Sequence, residues 1–408
     1  MSSPSEGGVS RKALRYDEAL AVIEALAPWD GSESLSLGDA TGRVVASEAL
    51  AMVDSPPFTN SAMDGIAVRH DDGAGEFRPS ETILAAPRES MPEPQGTRPC
   101  VRIMTGAPLP SWADTVVPVE DCEALADGRV RVSPERWPAR GTHVRQRGED
   151  VRRGEVALGS GMIVTPERAM AATALGINEV CVRPRPRVWI LSTGDELQEP
   201  GTPLRAGAIY NSSRSFLLGA ARRCEVDIGG AVTLPDDMAR ARQIMEDIQG
   251  AGGRLFLTTG AVSAGEKDFI PVLAEEMGFK ALFHKALIRP GRPVFLARRG
   301  DDIWLGLPGN PISTAVGWHF FVRPLLERLA GLPRVVKVSA TLTHEMKKPE
   351  GLRCFYRGTY KEGQVELFPR QGSGEMRASI LGNCYVELPE EGNRVAAGTS
   401  VLVTFVAS

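Results

Sequence analysis

At 408 residues, with 42% hydrophobic and 24% charged residues and a formal net charge of -4, the chain has the composition of an ordinary globular protein of two to four domains. That charge gives no basis for nucleic-acid binding, no apolar run reaches membrane-spanning length, and the N-terminus lacks the blocks of a secretory signal; the expectation is a cytoplasmic protein without nucleic-acid or membrane partners. Six scattered cysteines, with no C-x-x-C pair and no clustering with the five histidines, argue against a disulfide framework or a structural zinc site.

In chain order, residues 1–10 read as a disordered tail, and a helix is predicted from Asp17 to Leu26, stopped by Pro28. Pro56 and Pro57 hold the loop from Asp54 to Arg69 out of regular structure. Alternating segments at 115–119 and 128–132 predict a β-rich domain over roughly residues 55–147. Thr165 followed by Pro166 is a helix start and Gly176 its stop, and the stiff Arg183-Pro-Arg-Pro-Arg187 run marks a domain boundary.

Beyond it strands and helices alternate. Strands are predicted at 188–192, 226–233, 255–258, 281–288, 294–297 and 303–307, and helices at 213–223, 238–248, 269–277 and 312–329. This rhythm predicts a parallel or mostly parallel sheet with helices on both faces. After Gly331 short alternating segments with glycine turns predict a small all-β domain.

The stretch from Leu255 to Asp268 joins a buried strand to a helix through a loop of small residues, Thr259, Gly260, Ala261 and Ser263 among them, with Asp268 at the helix N-cap position. Such a turn can face backbone N–H groups toward an anion. In a doubly wound sheet ligands bind beyond the carboxyl ends of the strands. The residues there are Thr193, Gly194 and Glu196; then Asp236; then Thr259 and Gly260; then Pro308, Gly309 and Asn310. Two of these turns can hold phosphates, and two carry carboxylates suited to Mg2+ or to the N–H groups of a heterocycle. Asp236 and Asp268 also fit as plain helix caps.

Only 8 of the 47 basic residues are Lys, with none between Lys12 and Lys267, so Lys285 inside an apolar run is informative. In an unbroken strand Lys285 and Arg289 share a face, next to the turn at Pro290 and Gly291; snorkelling from a sheet edge is the alternative for Lys285.

The motifs Ser61-Ala-Met-Asp64-Gly65, Arg102-Ile-Met-Thr105-Gly106-Ala-Pro108, Arg147-Gly-Glu-Asp150-Val151, Ser192-Thr-Gly-Asp-Glu196-Leu197 and Gly306-Leu-Pro-Gly-Asn310-Pro-Ile-Ser313 resemble, in order, those of the molybdopterin molybdenumtransferase family, the bacterial MoeA type related to the C-terminal domain of gephyrin. The resemblance implies an elongated, L-shaped multidomain α/β subunit. Residues 11–54 and 148–183 would form a discontinuous N-terminal domain, 55–147 the inserted β-rich domain, 184–331 a three-layer α/β molybdopterin-binding domain, and 334–408 a small β-barrel-like domain. It implies a homodimer whose active site is shared between subunits, with a pterin substrate and contacts to other cofactor-biosynthesis proteins.

The implied reaction inserts molybdate into the dithiolene of adenylylated molybdopterin, with Mg2+-dependent release of AMP. Asp64, Glu196, Asp236, Asp268 and Lys285 match catalytic positions, and Glu196, Asp236 and Asp268 would be the metal ligands. Thr105, Asp150, Thr193, Gly194, Thr259, Gly260, Ser263, Arg289, Pro290, Pro308, Gly309, Asn310, Arg357 and Ser373 would bind substrate. The chain departs from the family at Ala261, where a second glycine is usual; at Arg289 and Arg292, where lysines are common; at Asn211, for a frequent Asp; and at Arg377 and Ala378, for serines. These departures keep open a member with altered oxyanion choice, such as tungstate, and a non-catalytic binding or scaffold protein.

Overall fold

The computed structural model describes residues 13–224, 226–252, 254–263, 269–332, 334–372 and 374–406. The predicted N-terminal tail, Asp268 and Ser373 lie outside the described residues. The chain forms two compact units, one of residues 33–182 and one that combines the first 32 residues with 183–408.

In the 33–182 unit, antiparallel pairs join Glu33–Ser36 to Glu179–Val182 and Ala49–Leu50 to Val156–Leu158. They surround a core of Leu37, Val45, Leu158, Val164 and Val180. The helix Pro166–Ala174 begins as its sequence demands: the Thr165 hydroxyl accepts from the Arg168 N–H, proline sits at the first position, and Gly176 takes a positive φ just beyond the end. Between these pieces lies a four-stranded sheet, in the order Thr82–Ile83, Cys100–Ile103, Gly65–Val68, Thr115–Pro118, and a three-stranded one. Side chains alternate along Gly65–Val68, so Ile66 and Val68 pack with Phe77 and Val130 while Ala67 packs on the other side with Val101 and Val116.

In the larger unit a six-stranded sheet runs in the order Asp227–Leu234, Arg187–Thr193, Leu255–Thr259, Asp302–Leu307, Phe295–Arg299, Lys280–His284. The first four strands are parallel and the last two antiparallel. Helices Met238–Gly250 and Ile270–Glu276 cover one face through Ala241, Met245, Ile270 and Leu273, which pack on Phe256 and Trp304. Helix Ser212–Arg222 and the helical run from Pro311 bury Leu217, Ala221 and Val316 as a further layer. The last segment closes into a small barrel when Arg353–Lys361 pairs with both Gln364–Leu367 and Cys384–Leu388. Tyr16, at the start of helix Tyr16–Glu24, is buried edge-on against Phe320, Phe321 and Phe355 in this unit.

Three expected elements are corrected. The stretch 54–69, expected to stay out of regular structure, contains Asn60–Ser61 and Gly65–Val68, the latter paired on both edges inside the four-stranded sheet, because Pro56 and Pro57 restrict only their own neighbours. The strand predicted to run through 288 stops at His284, because Lys285 takes a φ of 80°. Ile288–Arg289 then pairs with Arg353–Cys354 of the barrel, so strand alternation does not relate Lys285 to Arg289. The helix predicted over 312–329 is a composite, Pro311–Gly317, then a π turn Trp318–Val322, then Arg323–Ala330. Pro324 has no N–H to donate back along the helix, and the wider turn accommodates it.

The π turn also carries a pH dependence. Burial, aided by the Arg323 and Arg223 guanidinium groups, pushes the His319 imidazole down to about 4. The folded state therefore holds the neutral ring while the unfolded chain binds a proton below its ordinary value of about 6.5. Stability from this residue is complete above that value and is lost as pH falls toward 4, by about 3 kcal/mol in all. Urea midpoints at pH 7 and pH 4.5 should show a larger acid loss in the native protein than in His319→Gln; equal losses would refute the assignment.

Candidate active site

The parallel strands end at one rim, and the loops there enclose a cleft of about 560 Å3. Its lining includes Thr193, Gly194 and Glu196 from the first loop, Asp236 from the second, Thr259, Gly260 and Ala261 from the third, and Gly309, Asn310 and Pro311 from the fourth. The size is that of a small-molecule site.

Glycine is required where these loops meet. A Cβ on Gly194 would stand 2.5 Å from Glu196 Oε2, so the carboxylate folds over a bare backbone. A Cβ on Gly260 would stand 2.5 Å from Thr193 Oγ1, and one on Gly309 would reach the Gly260 α-carbon at 3.3 Å. The Gly260 N–H donates to the Leu307 carbonyl at 3.0 Å and is therefore tied to the neighbouring strand rather than offered to a ligand. Ala261, where a glycine was the family expectation, accepts a φ of 51° and keeps the turn at the cost of some strain.

Two helices begin at the cleft. Asn211 caps Ser212–Arg222 by accepting from the Arg214 N–H, and Asn310 caps the helix from Pro311 by accepting from the Ile312 N–H. Their N-terminal dipoles favour negative charge in the space between. The buried Asn211 Nδ2 has no hydrogen-bond partner among the described residues, while its Oδ1 also receives the Ser192 hydroxyl.

The two cleft carboxylates differ from their neighbours. The cap of Met238–Gly250 is Asp237, whose Oδ1 accepts from the Arg240 N–H at 2.8 Å; Asp236 therefore does not serve as the cap. Asp236 and Glu196 are exposed, and their carboxylates make no hydrogen bond or ion pair with any described residue. Two unengaged carboxylates lining one cleft are a donor set that suits Mg2+, which takes one or two carboxylates and completes its shell with phosphate and water oxygens. Among the described residues no group of three or more His, Cys, Asp or Glu could hold a metal.

Other predicted residues stand apart from this lining. Ser263 is exposed, and the Pro308 carbonyl accepts from the Thr314 hydroxyl. Lys285 and Arg289 lie on the connection into the barrel, and the turn at Pro290 and Gly291 approaches the Ser313 carbonyl. Arg357, on the barrel and 3% exposed, donates to the carbonyls of Glu375 and Gly372 at 2.6 and 3.1 Å and to the Ser379 hydroxyl at 3.4 Å. It has no carboxylate partner among the described residues, and burial pulls its pKa down, so an anion beside it would be welcome. The two departures open the short helix Arg377–Leu381, where Arg377 is exposed and Ala378 buried.

Asp64, Thr105 and Asp150 belong to the 33–182 unit. The Thr105 N–H and hydroxyl donate to Asp64 Oδ1 at 2.7 and 2.8 Å and hold that carboxyl below its ordinary range. Asp150 is tied to Ser55 through its own N–H and, at 3.4 Å, through the Ser55 hydroxyl. The segment from Leu197 to Ser213 was missed as a lining element, because its two short strands pair only with each other and leave little periodicity to read.

Comparison with known proteins agrees along the chain. Residues 14–176 match the MoeA N-terminal region (domain I and II), 189–328 the "probable molybdopterin binding domain", and 339–406 the MoeA C-terminal region (domain IV). The molybdopterin molybdenumtransferases of Haemophilus influenzae and Synechococcus elongatus are each 35% identical, over 96% and 91% of this chain and 98% and 94% of their own lengths. A crystal structure of a molybdopterin biosynthesis MoeA protein from Pyrococcus horikoshii superposes with a TM-score of 0.82 at 27% identity, covering 97% of this chain and 100% of the other. No helix among the described residues is long and apolar enough to cross a membrane. With all three family regions matched in order and full-length relatives at 35% identity, the chain belongs to the MoeA family of molybdopterin molybdenumtransferases.

Proposed function

We propose that the rim cleft binds adenylylated molybdopterin and that the protein inserts molybdate into its dithiolene, with cleavage of the phosphoanhydride to release AMP. The observation that carries this reading is the pair of unengaged carboxylates, Glu196 and Asp236, set beside two helix N-termini in one cleft. A phosphoanhydride is cleaved by positioning and charge neutralisation, which such a cleft can supply. The helix starts at Ser212 and Pro311 orient the phosphates, and Glu196 and Asp236 would hold Mg2+. That ion, when bound, supplies neutralisation of charge on the bridging and leaving oxygens.

Arg357 would receive the tetrahedral oxyanion, since a buried guanidinium whose partners among the described residues are carbonyls and a hydroxyl retains its positive charge for an anion. Lys285, Arg289 and Pro290 would complete that end of the substrate. By resemblance to the family, Asp64, Thr105 and Asp150 complete the site from the partner subunit of a homodimer in the cytoplasm; a monomer by light scattering would sink the shared site.

The test is AMP release by the purified protein from adenylylated molybdopterin with Mg2+, in the presence of molybdate, of tungstate, or of neither. Release that requires molybdate is expected. Release only with tungstate would reassign the oxyanion, and binding of the adenylylated pterin without any release would make the protein a carrier.

A further inference from the structure

The cleft has two chemically different sides. Glycine loops, helix starts and carboxylates make up one, whereas the other carries Leu197, Ile209 and Tyr210 from the segment between Glu196 and Asn211. That segment is an arm built on two short parallel strands, with Leu197 opposite Ile209 and Gln198 opposite Tyr210. Side chains alternate along a strand, so Gln198 and Tyr210 share one face and Leu197 and Ile209 the other.

The polar face is consumed within the arm. Gln198 Nε2 donates to Thr202 Oγ1 at 2.8 Å and to the Pro203 carbonyl at 2.9 Å, and the Tyr210 hydroxyl donates to the Thr202 carbonyl at 2.8 Å. The arm is fastened at both ends. The Ile209 N–H donates to the Glu196 carbonyl and the Asn211 N–H to the Gln198 carbonyl, while Arg214 pairs with Glu199 at 2.8 Å. What remains is the Leu197–Ile209 face. Leu197, Ile209 and Tyr210 line the cleft and Gln198 does not; the Tyr210 hydroxyl is already engaged within the arm, whereas Ile209 is 54% exposed with nothing polar to satisfy.

A rigid arm that holds a branched aliphatic side chain half in water leaves hydrophobic stabilisation unrealised, and a ligand that covers it recovers that term. The face begins directly after Glu196 and ends two residues before the helix cap at Asn211. An occupant must therefore have a flat apolar body adjoining an anionic group. We infer that the Leu197–Ile209 face is the platform for the fused heteroaromatic ring of the substrate, adenine or pterin, with Ile209 the principal contact and Tyr210 and Gln198 the positioning residues that hold the arm. This rests on the reading of the cleft as the adenylylated pterin site and adds which surface recognises the ring.

The experiment measures binding of AMP, of neopterin monophosphate and of pyrophosphate, each with Mg2+, by calorimetry. It compares the wild type with Ile209→Ser and Ile209→Val. Because Ile209 is exposed, neither change should alter thermal stability. Ile209→Ser should weaken one ring-bearing ligand about tenfold, the scale of a lost aliphatic contact, with Ile209→Val near wild type and pyrophosphate unaffected. Loss confined to AMP assigns the platform to adenine, and loss confined to neopterin monophosphate assigns it to pterin. Unchanged binding of both, or an equal loss for pyrophosphate, overturns the platform. A wild type that binds none of the three overturns the proposed use of the cleft and this inference with it.

Discussion

Asp236→Asn should lower molybdate-dependent AMP release by roughly a hundredfold or more, the scale on which one charge-stabilising group is lost from an active site, while leaving the unfolding midpoint within experimental scatter. The adjacent Asp237→Ala should do the reverse. Asp237 accepts the Arg240 N–H and caps Met238–Gly250, so its loss costs about 1 kcal/mol of stability with turnover little changed. The two residues are chemically identical and consecutive, and only their backbone positions separate the roles. Asp236 lines the cleft and its carboxylate has no partner among the described residues, whereas Asp237 is committed to a helix. Glu196→Gln should follow Asp236→Asn, and a Mg2+ titration should show both variants needing more of the ion for half-maximal release. If Asp236→Asn turns over normally, the cleft carboxylates are not the reacting site.

That pair also shows how far residue types can be read. A carboxylate pair before an apolar-periodic run announces a helix start, and the rest of the α/β region was legible for the same reason: apolar runs such as Leu255–Thr259 and caps such as Thr165 act through near neighbours. Which of two successive aspartates caps depends on the φ and ψ at which the chain leaves its strand, which composition does not encode. Long-range partners were illegible in the same way. Ile288 and Arg289 continue an apolar run, yet they pair with Arg353 and Cys354 of the barrel, and a positive φ at Lys285 makes the break. The arm at Leu197–Tyr210 escaped because each strand has two residues. That Gly194, Glu196, Asp236, Gly260 and Gly309 share one cleft is legible for a topological reason: strand ends in a parallel sheet must share a rim.

Gly260→Ala should be among the most damaging single substitutions in the cleft, with effects on stability and on turnover. Two penalties combine. The backbone at Gly260 has a φ of 88°, which costs an L-residue about 1–2 kcal/mol. The added methyl would also stand 2.5 Å from Thr193 Oγ1 and 3.1 Å from the Thr193 carbonyl, and relieving such overlap in a packed region costs typically about 1–3 kcal/mol. Gly300→Ala separates the two. Gly300, in the turn between Phe295–Arg299 and Asp302–Leu307, has a φ of 58° and open space where a Cβ would go, so it should show the conformational penalty alone. The difference between the variants in urea unfolding measures the close approach of the loops. Thr193→Ala, which deletes the Oγ1 that donates to the Thr259 carbonyl, should restore part of the stability of Gly260→Ala when the two are combined, because the nearest clashing atom is gone and only the carbonyl contact is left. Additive losses would mean that Gly260 matters for its φ alone. AMP release should remain low in the double variant, because a shifted Thr259-Gly260-Ala261 loop presses on Gly309, whose own missing Cβ sits 3.3 Å from the Gly260 α-carbon, and so displaces two walls of the cleft together.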